Sequence, residues 1–167
     1  MKTALKIICL CFASLTAASA SAEEEALATF KALKPDLALE LAQATLKACR
    51  SAGFQVAVAV VDRAGIVQVV LRDQLAGAHT PDTARRKAWT AASFRTDTLT
   101  LMEETQAGKR QSGVRFVNDA MMIGGGIPVT TAGTLVGAVG VSGAPGGAED
   151  QKCAQAGIDA IEEKLMF

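Results

Sequence analysis

Residues 54–71 read FQVAVAVVDRAGIVQVVL, and the organisation of the chain can be worked out from them in both directions. Val56, Val58 and Val60 alternate with Ala57 and Ala59. A period of two marks a strand. Because the intervening residues are alanines rather than polar side chains, both faces of that strand are apolar and want burial. Asp62-Arg63-Ala64-Gly65 reads as a tight turn, and Ile66 to Leu71 as the returning strand of a hairpin. The pattern recurs downstream. Ile127 to Thr131, a turn at Ala132-Gly133, and Thr134 to Ser142 form a second apolar pair, to which Met121–Ile123 adds an outer strand.

Helices flank both hairpins. Pro35 suits the first position of a helix that runs to about Ala52, where Gly53 ends it. Leu37, Leu41, Ala44 and Ala48 fall on one side of this helix. After a polar loop from Arg72 to Ala78, Thr80 is placed to cap a second helix and Pro81 to begin it. Ala84, Ala88, Ala91 and Ala92 give that helix a face of very small side chains, suited to lying close on a sheet. A further helical piece covers Thr96–Ala107. The last helix runs from about Ala148 to Leu165 with a stripe of Ala154, Ile158, Ile161 and Leu165. Two hairpins separated by helices do not make a doubly wound parallel sheet without extra crossovers. The composition of elements indicates an α/β chain of the α+β kind, an antiparallel sheet with helices packed on it.

The N-terminus reads differently. Lys2 and Lys6 precede an apolar stretch from Ile7 to Leu15 and then the small residues Ala18-Ser19-Ala20-Ser21-Ala22. That is the form of a secretory signal peptide, residues 1–22, with cleavage after Ala22 favoured over Ala20 because Glu23-Glu24-Glu25 then opens the mature chain. The apolar run is well short of the roughly 20 residues needed to span a bilayer, so no membrane insertion of the product is expected. The expected location is the periplasm or the exterior, with residues 23–167 as a single domain. Lys+Arg and Asp+Glu balance at 17 each in the full chain, and loss of Lys2 and Lys6 leaves the mature part slightly acidic. A nucleic-acid partner, which needs a dense basic patch, is therefore not expected. With one Trp, six Phe and no Tyr, the core must be built from Ala, Val, Leu and Ile. Cys9 and Cys11 leave with the signal. Cys49 and Cys153 remain, either bridged, as an oxidising compartment permits, or as two separate buried thiols. There is no CxxC and only one histidine, so the cysteines make no metal site by themselves.

No familiar catalytic set is present. A serine nucleophile needs a base, and His79 is the sole histidine; Ser142 lacks the nucleophile-elbow spacing. Asp62, Asp73, Asp82 and Asp119 suit turns and caps. Gly124–Gly126 lacks the Lys-Ser/Thr of a phosphate loop. His79, just outside the start of the second helix, is the candidate metal ligand, since imidazole is what iron or cobalt in a tetrapyrrole takes. Arg72, Arg85, Arg86 and Lys87 lie near it in sequence, and the three arginines are the candidate partners for propionate groups; Trp89, one helical turn from Arg85, is the candidate to face a flat ring. Each also has an ordinary reading, as loop residue or solvated helix face. Met102, Met121 and Met122 are softer candidates whose usual role is packing. The Gly143–Gly147 loop feeds into a helix and offers free N–H groups to a carboxylate, unless Glu149 caps it.

Ala57 to Leu71 (AVAVVDRAGIVQVVL), Pro81 to Phe94 (PDTARRKAWTAASF) and Gly125 to Asp150 (GGIPVTTAGTLVGAVGVSGAPGGAED) together resemble the GlcG/HbpS, or haem-degrading-domain, family, which is related to the C-terminal domain of corrinoid-processing PduO-type proteins. Lys87, Ala88, Thr90 and Ala91 with Trp89 stand at its helical Lys-Ala-aromatic-Thr-Ala signature. Gly125, Gly126 and Pro128 stand at its Gly-Gly-x-Pro element, and Gly140–Gly143 at its Gly-Val-Ser-Gly. The resemblance implies a five-stranded antiparallel sheet of profilin-like topology with packed helices. It also implies a homo-oligomer, from dimer to octamer, and haem as cofactor for scavenging, buffering or accessory sensing beside a membrane sensor or transport protein. The segment Leu75–His79 departs from the loop usual in relatives. Alternatives are a binding module for a small organic acid or other cofactor, and an assembly component without a cofactor; no catalytic residue is implied. Expressed with its leader in a host that has a secretory pathway, the chain is expected outside the cytoplasm with Glu23 at its N-terminus. Intact mass and N-terminal sequencing check this, and a cytoplasmic product retaining Met1 would overturn the export reading.

Overall fold

The computed structural model describes residues 26–166; the signal-peptide segment lies outside them. Helix α1 (Pro35–Ser51) leads into the hairpin β1 (Ala57–Asp62) and β2 (Val67–Arg72). Helices α2 (Thr80–Phe94) and α3 (Thr98–Glu104) and a short 3-10 turn (Ser112–Phe116) follow. The second hairpin is β3 (Gly126–Thr131) and β4 (Thr134–Ser142), and α4 (Gly147–Asp159) and α5 (Glu162–Leu165) close the fold. The sheet is antiparallel throughout in the order β2-β1-β4-β3. Among the described residues no helix is long and apolar enough to cross a membrane.

The Val/Ala alternation of the opening stretch is the division between the two faces of this sheet. Val56, Val58 and Val60, with Val139 and Val141 of β4, face α1 and α4 in the main core. Ala57, Ala59, Val61 and Ala138 face the other way, onto Ala84, Ala88, Ala91 and Ala92 of α2. Small residues on both sides let α2 lie very near the sheet. Ala59 pairs with Gly140 across the β1–β4 ladder, and a Cβ on Gly140 would overlap the carbonyl oxygen of Ala84. The first turn is fixed locally: the Asp62 carboxylate accepts from the N–H groups of Ala64 and Ile66 at 2.8 and 2.9 Å.

Four expectations are corrected. The sheet has four strands rather than five, because Met121–Ile123 is not a strand. The N–H of Met121 donates to the Thr90 hydroxyl at 2.8 Å instead of to a neighbouring strand. The buried stripe of α1 is Ala38, Leu41, Ala42, Thr45, Leu46 and Cys49, with Leu37, Ala44 and Ala48 only half-buried, because the helix is rotated to bring Cys49 against α4. Helix α2 begins at Thr80 with His79 in the capping position, one residue earlier than the sequence suggests; Thr80 is held by its hydroxyl donating to the Gly77 carbonyl at 2.8 Å. The terminal helix breaks near Ala160 into α4 and α5.

Cys49 of α1 and Cys153 of α4 form a disulfide with their Cα atoms 5.2 Å apart, which resolves the open choice between bridge and free thiols. The bridge spans 104 positions of sequence, so it removes much of the freedom of the unfolded chain. Replacing both cysteines by alanine is expected to lower unfolding stability by about 2–5 kcal/mol. Urea unfolding should show it, with reductant weakening the parent protein by a similar amount and leaving the double variant unchanged.

Candidate functional site

A groove of about 410 Å³ opens at the N-terminal end of α2. One wall is His79, Thr80 and Thr83 of the helix start; the facing wall is the loop Ser142–Gly146; Met121 and Ile123 form an apolar rim. The first turn of α2 is secured by its own polar groups, the Thr83 hydroxyl donating to the His79 carbonyl at 3.0 Å. That leaves the His79 imidazole exposed. Its ring lies across Gly77, where a Cβ would come within 2.8 Å of Cε1. Among the described residues only the backbone of His79 is hydrogen-bonded, not its ring.

The floor is a buried ion pair. Lys87 and Asp150 have side chains only 1% and 4% exposed, and Nζ donates to Asp150 Oδ2 at 2.7 Å. Nζ also donates to the Val141 carbonyl at 2.9 Å, and the second carboxylate oxygen of Asp150 accepts from the Ala144 N–H at 3.0 Å. One pair thus joins α2, the end of β4, the glycine loop and α4. Burial pushes the Asp150 carboxyl up and the Lys87 ammonium down from their ordinary values, each opposed by the attraction of the other. Gly125 packs against this pair with φ +118°, a conformation that favours glycine, and a Cβ there would meet Asp150 Cβ at 2.7 Å and the Val141 carbonyl at 2.8 Å. The Gly-Gly-x-Pro element therefore serves packing around the pair.

Of His79, Arg72, Arg85, Arg86 and Trp89, the structure brings only His79 into the groove; Lys87, from the same run of cations, lies in its floor, and the softer candidate Met121 and the Gly143–Gly147 loop line its walls. Arg72 folds back on its own loop, donating to the Ala76 carbonyl at 2.6 and 3.0 Å. Arg85 pairs with Asp82 at 3.0 Å and Asp119 at 2.7 Å, and its guanidinium holds the Asp119 carboxyl below the usual carboxylate range. Arg86 donates to the Ala120 carbonyl at 3.0 Å. These two arginines anchor the segment that carries Met121 and Ile123, so they shape the rim and are not free cations. Trp89 lies ten residues beyond His79, about 15 Å along the helix. It packs over Gly65 and with Phe94, Leu101 and Met122. Lys87 and Asp150 were not read from sequence as a pair. The signal was present in part: Lys87 interrupts the alanine stripe of α2, at a position that helical spacing turns toward the sheet.

A larger depression of about 660 Å³ between β3 and α4–α5 is lined by Asp159 and Glu162 and by no cation among the described residues. Among the described residues no cluster of three metal-ligating side chains occurs. The floor pair makes a direct test of what holds the groove. Lys87→Ala or Asp150→Ala, each leaving a buried charge alone, is expected to cost about 3–5 kcal/mol. The double variant Lys87→Met with Asp150→Leu is expected to recover most of that, because it removes both charges and keeps the volume. Chemical denaturation of the three variants checks it; additive losses in the double variant would contradict the pairing.

The family profile described as "Haem degrading protein HbpS-like" matches residues 33–159. The crystal structure of a double mutant of Streptomyces reticuli HbpS is similar, with a TM-score of 0.78 and 34% identity over 87% of this chain and 97% of that one. The crystal structure of a PduOC:haem complex has a TM-score of 0.73 and 30% identity, covering 78% of this chain and 95% of that one. An uncharacterised 15.0 kDa protein from the dhaT-dhaS intergenic region of Citrobacter freundii is 30% identical over 128 residues, 75% of this chain and 89% of its own length. The likeness of fold and the match over residues 33–159 agree, and the chain belongs to the HbpS-like family.

Proposed function

We propose that the groove at the start of α2 is a haem-binding site and that the protein is an exported, homo-oligomeric haem-binding protein serving scavenging, buffering or accessory sensing. The observation that carries this is His79: an exposed imidazole at the mouth of a groove, its ring engaged by no hydrogen bond from the described residues. The groove volume falls in the range of about 300–1,000 Å³ usual for ligand pockets. Its rim offers Met121 and Ile123, 44% exposed in the latter case, as apolar surface for a ring face. These residues would hold the group through one imidazole nitrogen and by apolar contact at an open site.

His79 would supply the iron ligand, with Gly77 leaving room for the imidazole to lie as it does. Arg85 and Arg86 would act by holding the rim in place, and would reach propionate groups only by exchanging their present contacts with Asp119 and Ala120. Arg72 and Trp89 would contribute through the loop and the helix they brace. Haem bound here would supply redox-active iron, and no side chain of the groove is assigned a catalytic role. The likeness to a structure determined as a PduOC:haem complex supports the ligand class. A membrane sensor or transport protein is the proposed partner for handing haem on.

Haem titration of the mature protein, followed by visible absorbance, is expected to give saturable Soret binding at one site per chain. His79→Ala is expected to shift the Soret band and weaken binding at least tenfold, and Met121→Ala to weaken it less without changing the ligand field. Saturable binding with an unchanged spectrum in His79→Ala would move the ligand elsewhere. Only non-saturating association would overturn the haem reading.

A further inference from the structure

At the far end of α2 from His79, sixteen residues and about 24 Å along the chain of the helix, two arginines line one small cavity of about 320 Å³. Arg63 comes from the β1–β2 turn and Arg95 from the residue that ends α2; the hydroxyl-bearing Thr130 and Thr134, at the β3–β4 turn, complete it. The Arg63 guanidinium lies over the ring of Phe30, 4.3 Å from its centroid. Its Nε is buried and has no hydrogen-bond partner among the described residues. Neither Arg63 nor Arg95 forms an ion pair with any described residue. The neighbouring carboxylate, Asp62, is spent on its own turn, where it accepts from Ala64 and Ile66.

That arrangement is unfavourable as it stands. A buried guanidinium N–H without an acceptor loses its hydration and gains nothing, and two like charges lining one cavity repel. A helix C-terminus attracts a cation by itself, so Arg95 alone would mean little. Arg63 belongs to a different element and has no such reason to be there. Arg95 is also in the left-handed region, φ 52°, where glycine is the usual residue after a helix. An arginine kept in that conformation lines the cavity at some backbone cost. Lys31, in the adjoining depression that shares Arg63 and Thr134, adds a third cation nearby.

We propose that this cavity is an oxyanion site, distinct from the haem groove, which takes the carboxylate or phosphate group of a small molecule. The planar guanidinium fork suits both groups, since each presents paired oxygens to paired N–H donors. Thr130 and Thr134 supply hydroxyls to the remaining oxygens, and the Phe30 ring holds Arg63 against the opening.

The test is calorimetric titration of the disulfide-intact mature protein at low ionic strength, where screening is weak, with inorganic phosphate and, separately, succinate as probes, against a chloride blank. Saturable heat near one per chain is expected from at least one probe. Phosphate binding alone would identify a phosphate-bearing ligand, and succinate binding alone a carboxylate. Arg95→Asn, which tolerates the left-handed backbone and removes the charge, is expected to weaken binding at least tenfold. Arg63→Gln is expected to abolish it, and Arg63→Lys to restore only part. His79→Ala should leave anion binding unchanged, which separates failure here from failure of the haem reading. No saturable heat with either probe, or equal binding in Arg63→Gln and Arg95→Asn, would overturn the proposal.

Discussion

The Lys87–Asp150 pair is the contact on which the rest of the structure depends. It is buried between α2 and α4 and also bonds the end of β4 and the N–H of Ala144. Four separately folded pieces of chain are therefore fixed relative to one another by two side chains. Desolvation makes such a pair expensive, and apolar residues of the same volume would often be as stable. What apolar residues would not supply is direction. The pair specifies where the glycine loop turns and how far α4 lies from the start of α2, and those two distances set the width of the groove above it.

The other constraint is the close approach of α2 to the sheet. Alanines on both surfaces and Gly140 beneath Ala84 leave little apolar area per residue but let the helix sit low. The compensating apolar area is on the opposite face, where valines of β1 and β4 meet α1 and α4 and the disulfide ties those helices together. The division of labour has a consequence for function. A helix clamped along its whole length presents its two ends rigidly, and both proposed sites are at those ends: His79 at the start, Arg95 just past the finish.

Charge near a candidate ligand is a poor guide to which charges are available. Arg72, Arg85 and Arg86 are near His79 in sequence, yet each is committed to an oxygen of its own loop or of the 119–120 segment. Arg63 and Arg95, far apart in sequence, line one cavity, and the Arg63 Nε is buried without an acceptor among the described residues. Partner availability is a property of the folded surface. Hydrogen-bond acceptors from remote segments decide it, and no local pattern records them.

Local periodicity is a property of consecutive residues, and so the two hairpins, the alanine face of α2 and the helix after Pro35 were legible in the sequence. The Val/Ala alternation even encoded the two faces of β1, since small side chains mark where a helix must come close. The alternation of hairpins and helices led to the fold class, and the family motifs agree with it. The fifth strand was misread because three apolar residues carry no information about their partner, and Met121 found the Thr90 hydroxyl. The α1 stripe was misread because the choice among adjacent small residues rests on what lies opposite, here Cys153. His79 could be singled out because a lone histidine is conspicuous in one dimension. The floor of its groove could not, because Lys87 and Asp150 are separated by sixty-three positions, and only burial by other elements brings two such charges together and makes them need one another.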